Sequence, residues 1–565
     1  MKFTEIPYKR QSLEDASAEL KALTARLENA PDAESAISAV YGQDKLLRSF
    51  STQTSVAYIR HTINTADTFY DAEKSYYDEI EPQLGEYLQN FNIAIVKSKH
   101  RAALEAEFGG LYLQNIEMAL KTFDPVIIED KQRENKLSSD YVKLLASAKI
   151  DFDGKELTRS QLTFYKLSSD RAVRIKAFEA DAGFLNAHKE ELDDYYDQLV
   201  KNRTLQAKKL GFEDYIQLGY YQMQRNSYDR KEVAAFRDLV AEKIVPIASR
   251  LKAEQAARLG LKTLKFYDDD VLFPDGNANP KGTPEEIFAA GKQMYAELSP
   301  ETEEFFNFML ERDLFDVLSR KDKAGGGYCT GLADFKAPFI FANFNGTTHD
   351  IEVLTHEAGH AFAGYSSFRN PDVKLYELGS PTYEACEVHS MSMEFFTWPW
   401  MENFFSDAKK FRYGHLAGSL SFIPYGCIVD EFQHIAYENP NLTPAERNRA
   451  YLELEKKYRP HIDFSGVPFF EEGRRWQIQH HIYERPFYYI DYCLAQTVAL
   501  HFWSLAQNDR KAAWEKYKTF VSFAGTKTFT QLLSAAGLPS PFTAETFKSV
   551  SGAATAYLDG RENQV

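Results

Sequence analysis

A chain of 565 residues, 44% of them hydrophobic, is long enough to bury a large core and too apolar to be disordered. Its formal net charge of -16 argues against a nucleic-acid backbone as the main partner, because phosphate binding needs clustered Lys and Arg. Met1–Pro7 has no leader-like apolar core and no run of about 18 apolar residues offers a membrane span. The four cysteines, Cys329, Cys386, Cys427 and Cys493, are scattered without a CxxC pair, so free thiols in a reducing, cytoplasmic setting are expected.

The first part of the chain reads as helix after helix. Ser12-Leu13-Glu14-Asp15 is a capping start, followed by Leu20, Leu23 and Leu27 at helical spacing. Similar mixtures of charged and apolar residues run through Asp67–Leu88, Arg101–Thr122, Ser138–Ala148 and Arg171–Leu210. The charges of Lys189–Gln206 read as a solvated face. Phe266–Gly282 breaks the pattern with turn signals at Pro274-Asp275-Gly276 and Pro280-Lys281-Gly282. Its Asp268-Asp269-Asp270 run lacks the spaced ligands of a calcium loop and reads as solvated.

Thr283-Pro284-Glu285-Glu286 starts another helix, with Thr as cap, Pro at the first helical position and Glu three residues after the cap. Gly325-Gly326-Gly327 is a flexible entry to Pro338–Phe344, the best strand candidate, ending at Asn345-Gly346. After Asp350 the pattern is helical to the end. No repeat or low-complexity linker appears, so one continuous helical unit over 1–565 is expected, with approximate sub-regions 1–200 and 201–565.

Thr355-His356-Glu357-Ala358-Gly359-His360-Ala361 contains HExxH. On a helix, residues four apart share a face, so His356 and His360 can reach one zinc ion while Glu357 acts as general base on its water. Ile351, Leu354, Ala358 and Phe362 form an apolar stripe that would bury the other face. A third ligand is needed, and Pro381–Glu394 reads as a helix rich in carboxylates. Glu384 and Glu387 are both candidates, one to bind the metal and the other to orient a ligand histidine. His389 is a weaker candidate. Near the C-terminus, His480–Tyr492 is dense in hydrogen-bond donors that could stabilise an oxyanion, although aromatic packing alone would also produce it.

At these three segments the sequence resembles the thimet oligopeptidase and oligoendopeptidase F family of zinc metallopeptidases, nearest its bacterial oligoendopeptidase F and Pz-peptidase group. The resemblance extends to Phe50-Ser51-Thr52-Gln53 and Tyr58-Ile59-Arg60-His61. It implies that His356 and His360 bind one zinc, with Glu357 as base. The family's third ligand is a Glu followed by Ser and Glu at three and seven residues, which Glu387, Ser390 and Glu394 match. Glu384 lies nearer the usual distance from the first histidine, but Glu387 is taken as the ligand and Glu384 as its supporting neighbour. The family's oxyanion donors best match His481, Tyr489 and Tyr492, with Tyr488 an alternative.

The resemblance further implies a mostly α-helical, two-lobed body around a deep channel, with a small β element near the site. Such a channel would admit short peptides, and the Gly325–Asn345 segment would pair with a substrate backbone. The expected activity is internal cleavage of short peptides. A peptidyl-dipeptidase is the near rival, with Arg474, Arg475 or Arg485 as partner for a free carboxylate. A zinc-stabilised peptide binder without turnover is the other class, and Glu357 argues against it. Oligomeric state is left open.

Overall fold

Local capping signals set the helix boundaries in the computed structural model, which describes residues 1–344 and 348–560. The Ser12 hydroxyl accepts from the Asp15 amide at 3.0 Å and opens Leu13–Glu28. Asp67 caps Thr68–Lys97. Thr283 and Glu286 form the reciprocal pair expected of them, at 3.3 and 2.8 Å, with Pro284 at the first helical position. A cap of this kind contributes about 1 kcal/mol. Two stretches that read as single helices are broken. Gly109, at φ 91°, separates Arg101–Phe108 from Gly110–Ala119, and His188 separates Arg171–Ala187 from Lys189–Lys209.

The fold is mostly α-helical with only small sheets, and its chain forms two compact units. The first combines Met1–Leu120, Asn279–Ala408 and Phe502–Pro539; the second combines Lys121–Ala278, Lys409–His501 and Ser540–Val565. Each unit is therefore assembled from three separate stretches. The approximate seam expected at residue 200 falls inside the Lys189–Lys209 helix.

In the first unit, Leu27, Val40, Phe91, Leu104 and Ile116 of the N-terminal helices form a core that Leu375 and Leu378 complete. The expected strand is Ala337–Phe344, the middle of a three-stranded sheet. It runs parallel to Phe315–Leu318 and antiparallel to Tyr328–Leu332. All of its residues except Asn343 are buried, which explains a continuous apolar run in place of alternation. The Asn345-Gly346 turn expected at its end lies outside the described residues. Lys323 ties the sheet together: its buried Nζ lies 2.6 Å from Asp316 Oδ1 and donates to the carbonyls of Asp316 and Leu318, both at 3.0 Å.

The second unit corrects two expectations about charge in part. The aspartate run is solvated only at its end: Asp270 is exposed, but Asp268 is fully buried and receives the guanidiniums of Arg171 and Arg174 at 2.8 and 2.9 Å. Asp269 pairs with Lys252 at 2.7 Å and with Arg459. The Lys189–Lys209 helix also turns charge inward: Arg203 is fully buried and donates to Glu134 at 2.7 Å, to the Tyr437 hydroxyl at 3.0 Å, and to the Tyr483 carbonyl. A buried guanidinium is tolerated only when its donors are matched in this way. Composition and periodicity carry no signal for such long-range partners.

Candidate metal and catalytic site

The HExxH sequence lies on the Thr348–Ser367 helix, and the carboxylate-rich segment forms the Tyr383–Phe396 helix. Ile351, Leu354, Ala358, Ala361 and Phe362 are buried, so the stripe read from sequence anchors the first helix. Phe362 packs on Phe305 and Trp514, with ring centroids 5.6 and 5.9 Å apart. The two helices meet at Gly359. A Cβ there would lie 2.6 Å from both the His389 carbonyl oxygen and the Ser390 Cα. Only a residue without a side chain permits that approach, and the approach carries Glu387 to the histidines.

His356, His360 and Glu387 each offer a ligand atom within 4.8 Å of the others. Both imidazole Nε2 atoms face Glu387 Oε2, at 3.4 and 3.6 Å. Each of the three residues has a further partner. His356 Nδ1 lies 2.6 Å from Glu394 Oε1, and His360 makes a hydrogen bond to the Cys386 backbone. The Ser390 hydroxyl donates to Glu387 Oε2 at 3.0 Å. Two nitrogens and one carboxylate oxygen, oriented from behind, fit a single divalent transition-metal ion with a position left open.

The electrostatics follow from burial and charge. Burial opposes the charged form of His356, but hydrogen bonds to Glu387 and Glu394 push its pKa well above the usual imidazole range. Burial lowers His360 to about 4 against the pull of Glu387. Burial would raise Glu387, yet the hydrogen bond from His356 and the charges of both histidines hold it at about 2.

Glu384 does not join this group. It is 1% exposed and accepts from the Thr382 hydroxyl at 2.9 Å, and the carboxylate against His356 Nδ1 is that of Glu394. His389 is a core residue, its ring edge-on to Phe520 at 5.6 Å. Glu357 is 9% exposed. Cys329, which the sequence offers only as one of four scattered thiols, is pushed well above its ordinary range by burial, with Glu357 adding to the shift.

His481, Tyr488, Tyr489 and Tyr492 form a half-buried ring cluster. The His481 ring lies 4.9 Å from Tyr489, 5.8 Å from Tyr488 and 6.0 Å from Tyr492. His481 sits on the short His480–Glu484 helix, Tyr489 and Tyr492 lie in the first turn of the Tyr489–Asn508 helix, and Tyr488 immediately precedes it. Tyr483, by contrast, is core: it stacks on Tyr141 at 3.8 Å and on Trp476 at 5.9 Å.

A strained turn joins the two helices. Phe487 has φ 66°, unusual for a residue with a side chain. Its carbonyl accepts from Arg225, its amide donates to Gln433 Oε1 at 3.0 Å, and its ring fills the space left by Gly219. Arg225 also pairs with Asp491 at 2.8 Å, both fully buried. Arg474 and Arg475 are committed elsewhere, to Asp193 at 2.8 Å and Glu455 at 3.3 Å.

The whole chain finds relatives that account for this chemistry. Residues 3–123 match the Peptidase M3 N-terminal domain, and residues 164–551 match Peptidase family M3. The chain belongs to peptidase family M3. It is 47% identical to a structure of Pz peptidase A with an inhibitor, at a TM-score of 0.93 and with both chains covered in full. An oligoendopeptidase F homolog of Borreliella burgdorferi is 23% identical over 421 residues, which span 70% of this chain and 69% of that protein. The oligoendopeptidase-F of Enterococcus faecium, at 15% identity and a TM-score of 0.64 over 97% of this chain and 98% of that one, shares the fold. This M3 peptidase is an oligopeptide-cleaving metalloendopeptidase, with peptides as substrates. None of its described helices is long and apolar enough to cross a membrane.

Proposed function

We propose that this M3 peptidase hydrolyses internal bonds of short peptides with one zinc ion per chain, held by His356, His360 and Glu387. The observation that carries the reading is the convergence of these ligand atoms within 4.8 Å, with Glu394 on the far nitrogen of His356. Zinc supplies a Lewis acid that acidifies water and polarises a carbonyl. Glu357, on the same helix as both histidines, takes a proton from the attacking water and hands it to the leaving amine. His481, Tyr489 and Tyr492 donate to the oxyanion; their support is the family resemblance of this segment and their gathering into one half-buried cluster. Asp193 and Glu455 engage Arg474 and Arg475, which leaves Arg485 as the candidate cation that dipeptide release would need for a free carboxylate; mapping the products distinguishes the two modes. The free cysteines suit a cytoplasmic site of action.

The test is cleavage of a quenched-fluorescent peptide by wild type and Glu357→Gln, with zinc content measured on both. The variant should keep its metal and lose about 10²- to 10⁴-fold in kcat. A variant that keeps both metal and rate sinks the assignment of Glu357.

A further inference from the structure

His481 does not stand alone behind its reactive face. The Tyr425 hydroxyl lies 2.6 Å from Gln479 Oε1, and Gln479 Nε2 lies 2.8 Å from His481 Nδ1. Burial raises the Tyr425 pKa, so its phenol keeps its proton, and the hydroxyl donates that proton to Gln479 Oε1. The Arg475 guanidinium covers the Tyr425 ring at 4.3 Å and is itself paired with Glu455. A phenol that donates to the amide oxygen fixes which way the Gln479 amide faces. Its nitrogen, which can only donate, must then be the atom turned to His481. A ring nitrogen that receives a hydrogen bond carries no proton, so the proton of the neutral imidazole resides on the other nitrogen.

We infer that Gln479 is a positioning residue that fixes the tautomer of His481, holding its proton on Nε2 so that this nitrogen is always a hydrogen-bond donor. This rests on the proposed role of His481 in stabilising the oxyanion. A neutral imidazole in the opposite tautomer presents a lone pair to developing negative charge and repels it. Burial, with the neighbouring His480, lowers His481 to about 4, so over the neutral range it is the tautomer that decides whether Nε2 donates. The groups facing His481 are the rings of Tyr488, Tyr489 and Tyr492, the Gln479 amide, and the charges of His480, Glu484 and Arg485. Of these, Gln479 is the group whose hydrogen bond to Nδ1 selects between the two nitrogens.

Replacing Gln479 by Glu reverses the instruction. A carboxylate accepts where the amide donated, so it draws a proton onto Nδ1 and raises the His481 pKa. Below that raised pKa the imidazolium still donates from Nε2, and activity survives. Above it the Nε2 proton leaves while Nδ1 keeps its own, and the donor is lost. Gln479→Glu should therefore add a one-proton descending limb on the alkaline side of the kcat profile, with about a hundredfold loss beyond it, the usual effect of removing one oxyanion donor. Gln479→Leu removes the amide without supplying an acceptor. It should lower kcat at all pH values without the new limb.

The experiment measures kcat against pH for wild type and both variants, with nitrogen-15 spectra of histidine-labelled protein and His481→Phe to assign the signal. Support is a neutral wild-type His481 protonated on Nε2 together with the new limb in Gln479→Glu. A wild-type proton on Nδ1, or a Gln479→Glu profile that superimposes on wild type, overturns the inference. If Gln479→Glu fails to fold, the wild-type spectrum still decides. Wild-type turnover by His481→Phe would instead sink the donor role beneath it, and the spectrum would judge the tautomer separately.

Discussion

Glu394 accepts from His356 Nδ1 at 2.6 Å, which leaves Nε2 as the nitrogen available to a metal. Removing such a partner usually costs about 10- to 100-fold in metal affinity, and Glu394→Ala should show that loss in a competition titration with a chromogenic chelator. The same carboxylates hold His356 protonated in the metal-free protein, so zinc must displace a proton. Wild-type affinity should therefore rise with pH up to the raised His356 pKa and flatten above it. Calorimetry in buffers of different ionisation enthalpy should find about one proton released per zinc at neutral pH, and less in Glu394→Ala. At this scale HExxH was legible because its chemistry is local to one turn of helix. The contact of Glu394 with His356 was not, since Glu384 and Glu394 carry the same charge at opposite ends of one helix, about three turns apart, and only the packing of that helix decides which one meets the histidine.

Between elements, the close approach at Gly359 sets the distance from the histidines to Glu387. Gly359→Ala forces the His389 and Ser390 backbone outwards, because the new Cβ would sit 2.6 Å from it. Overpacking of this kind costs about 1–3 kcal/mol, so the melting temperature should fall and zinc affinity should fall with it. A variant with normal zinc affinity would show that the approach does not place the ligands. The Phe487 turn depends on a different kind of contact. Arg225→Met leaves Asp491 buried without its partner, a loss of about 3–5 kcal/mol in stability. Burial raises Asp491 to about 6 even with Arg225 beside it. Its folded pKa thus lies above the unfolded value, and protonation favours the folded state. The deficit of Arg225→Met should narrow as pH falls, which urea melts at several pH values can measure. Helix starts were legible at this scale because caps are local; the break at Gly109 has a local signal in Gly109-Gly110, whereas nothing in the apolar spacing marks the break at His188.

At the scale of the whole molecule, the two family matches are continuous in sequence while the units are not. Residues 3–123 fall almost wholly in the first unit, but their core is closed by Leu375 and Leu378. A fragment of residues 1–123 would expose that apolar face. It should be less cooperative in thermal melts and less protected from hydrogen exchange than the same residues in the full chain. A fragment as protected as the intact protein would mean that its own helices close the core.

The amino-acid sequence by itself determined the helical class, the caps, the buried strand, the HExxH pattern and the peptidase chemistry, since each depends on residues within a few turns of one another. Only the tertiary structure decided that the aspartates at 268 and 269 are internal anchors, that Glu394 stands behind His356, and that Gln479 stands behind His481. Those outcomes depend on pairings across distant stretches of chain, where a charge or an amide has no preferred partner until packing removes the solvent and leaves one within reach.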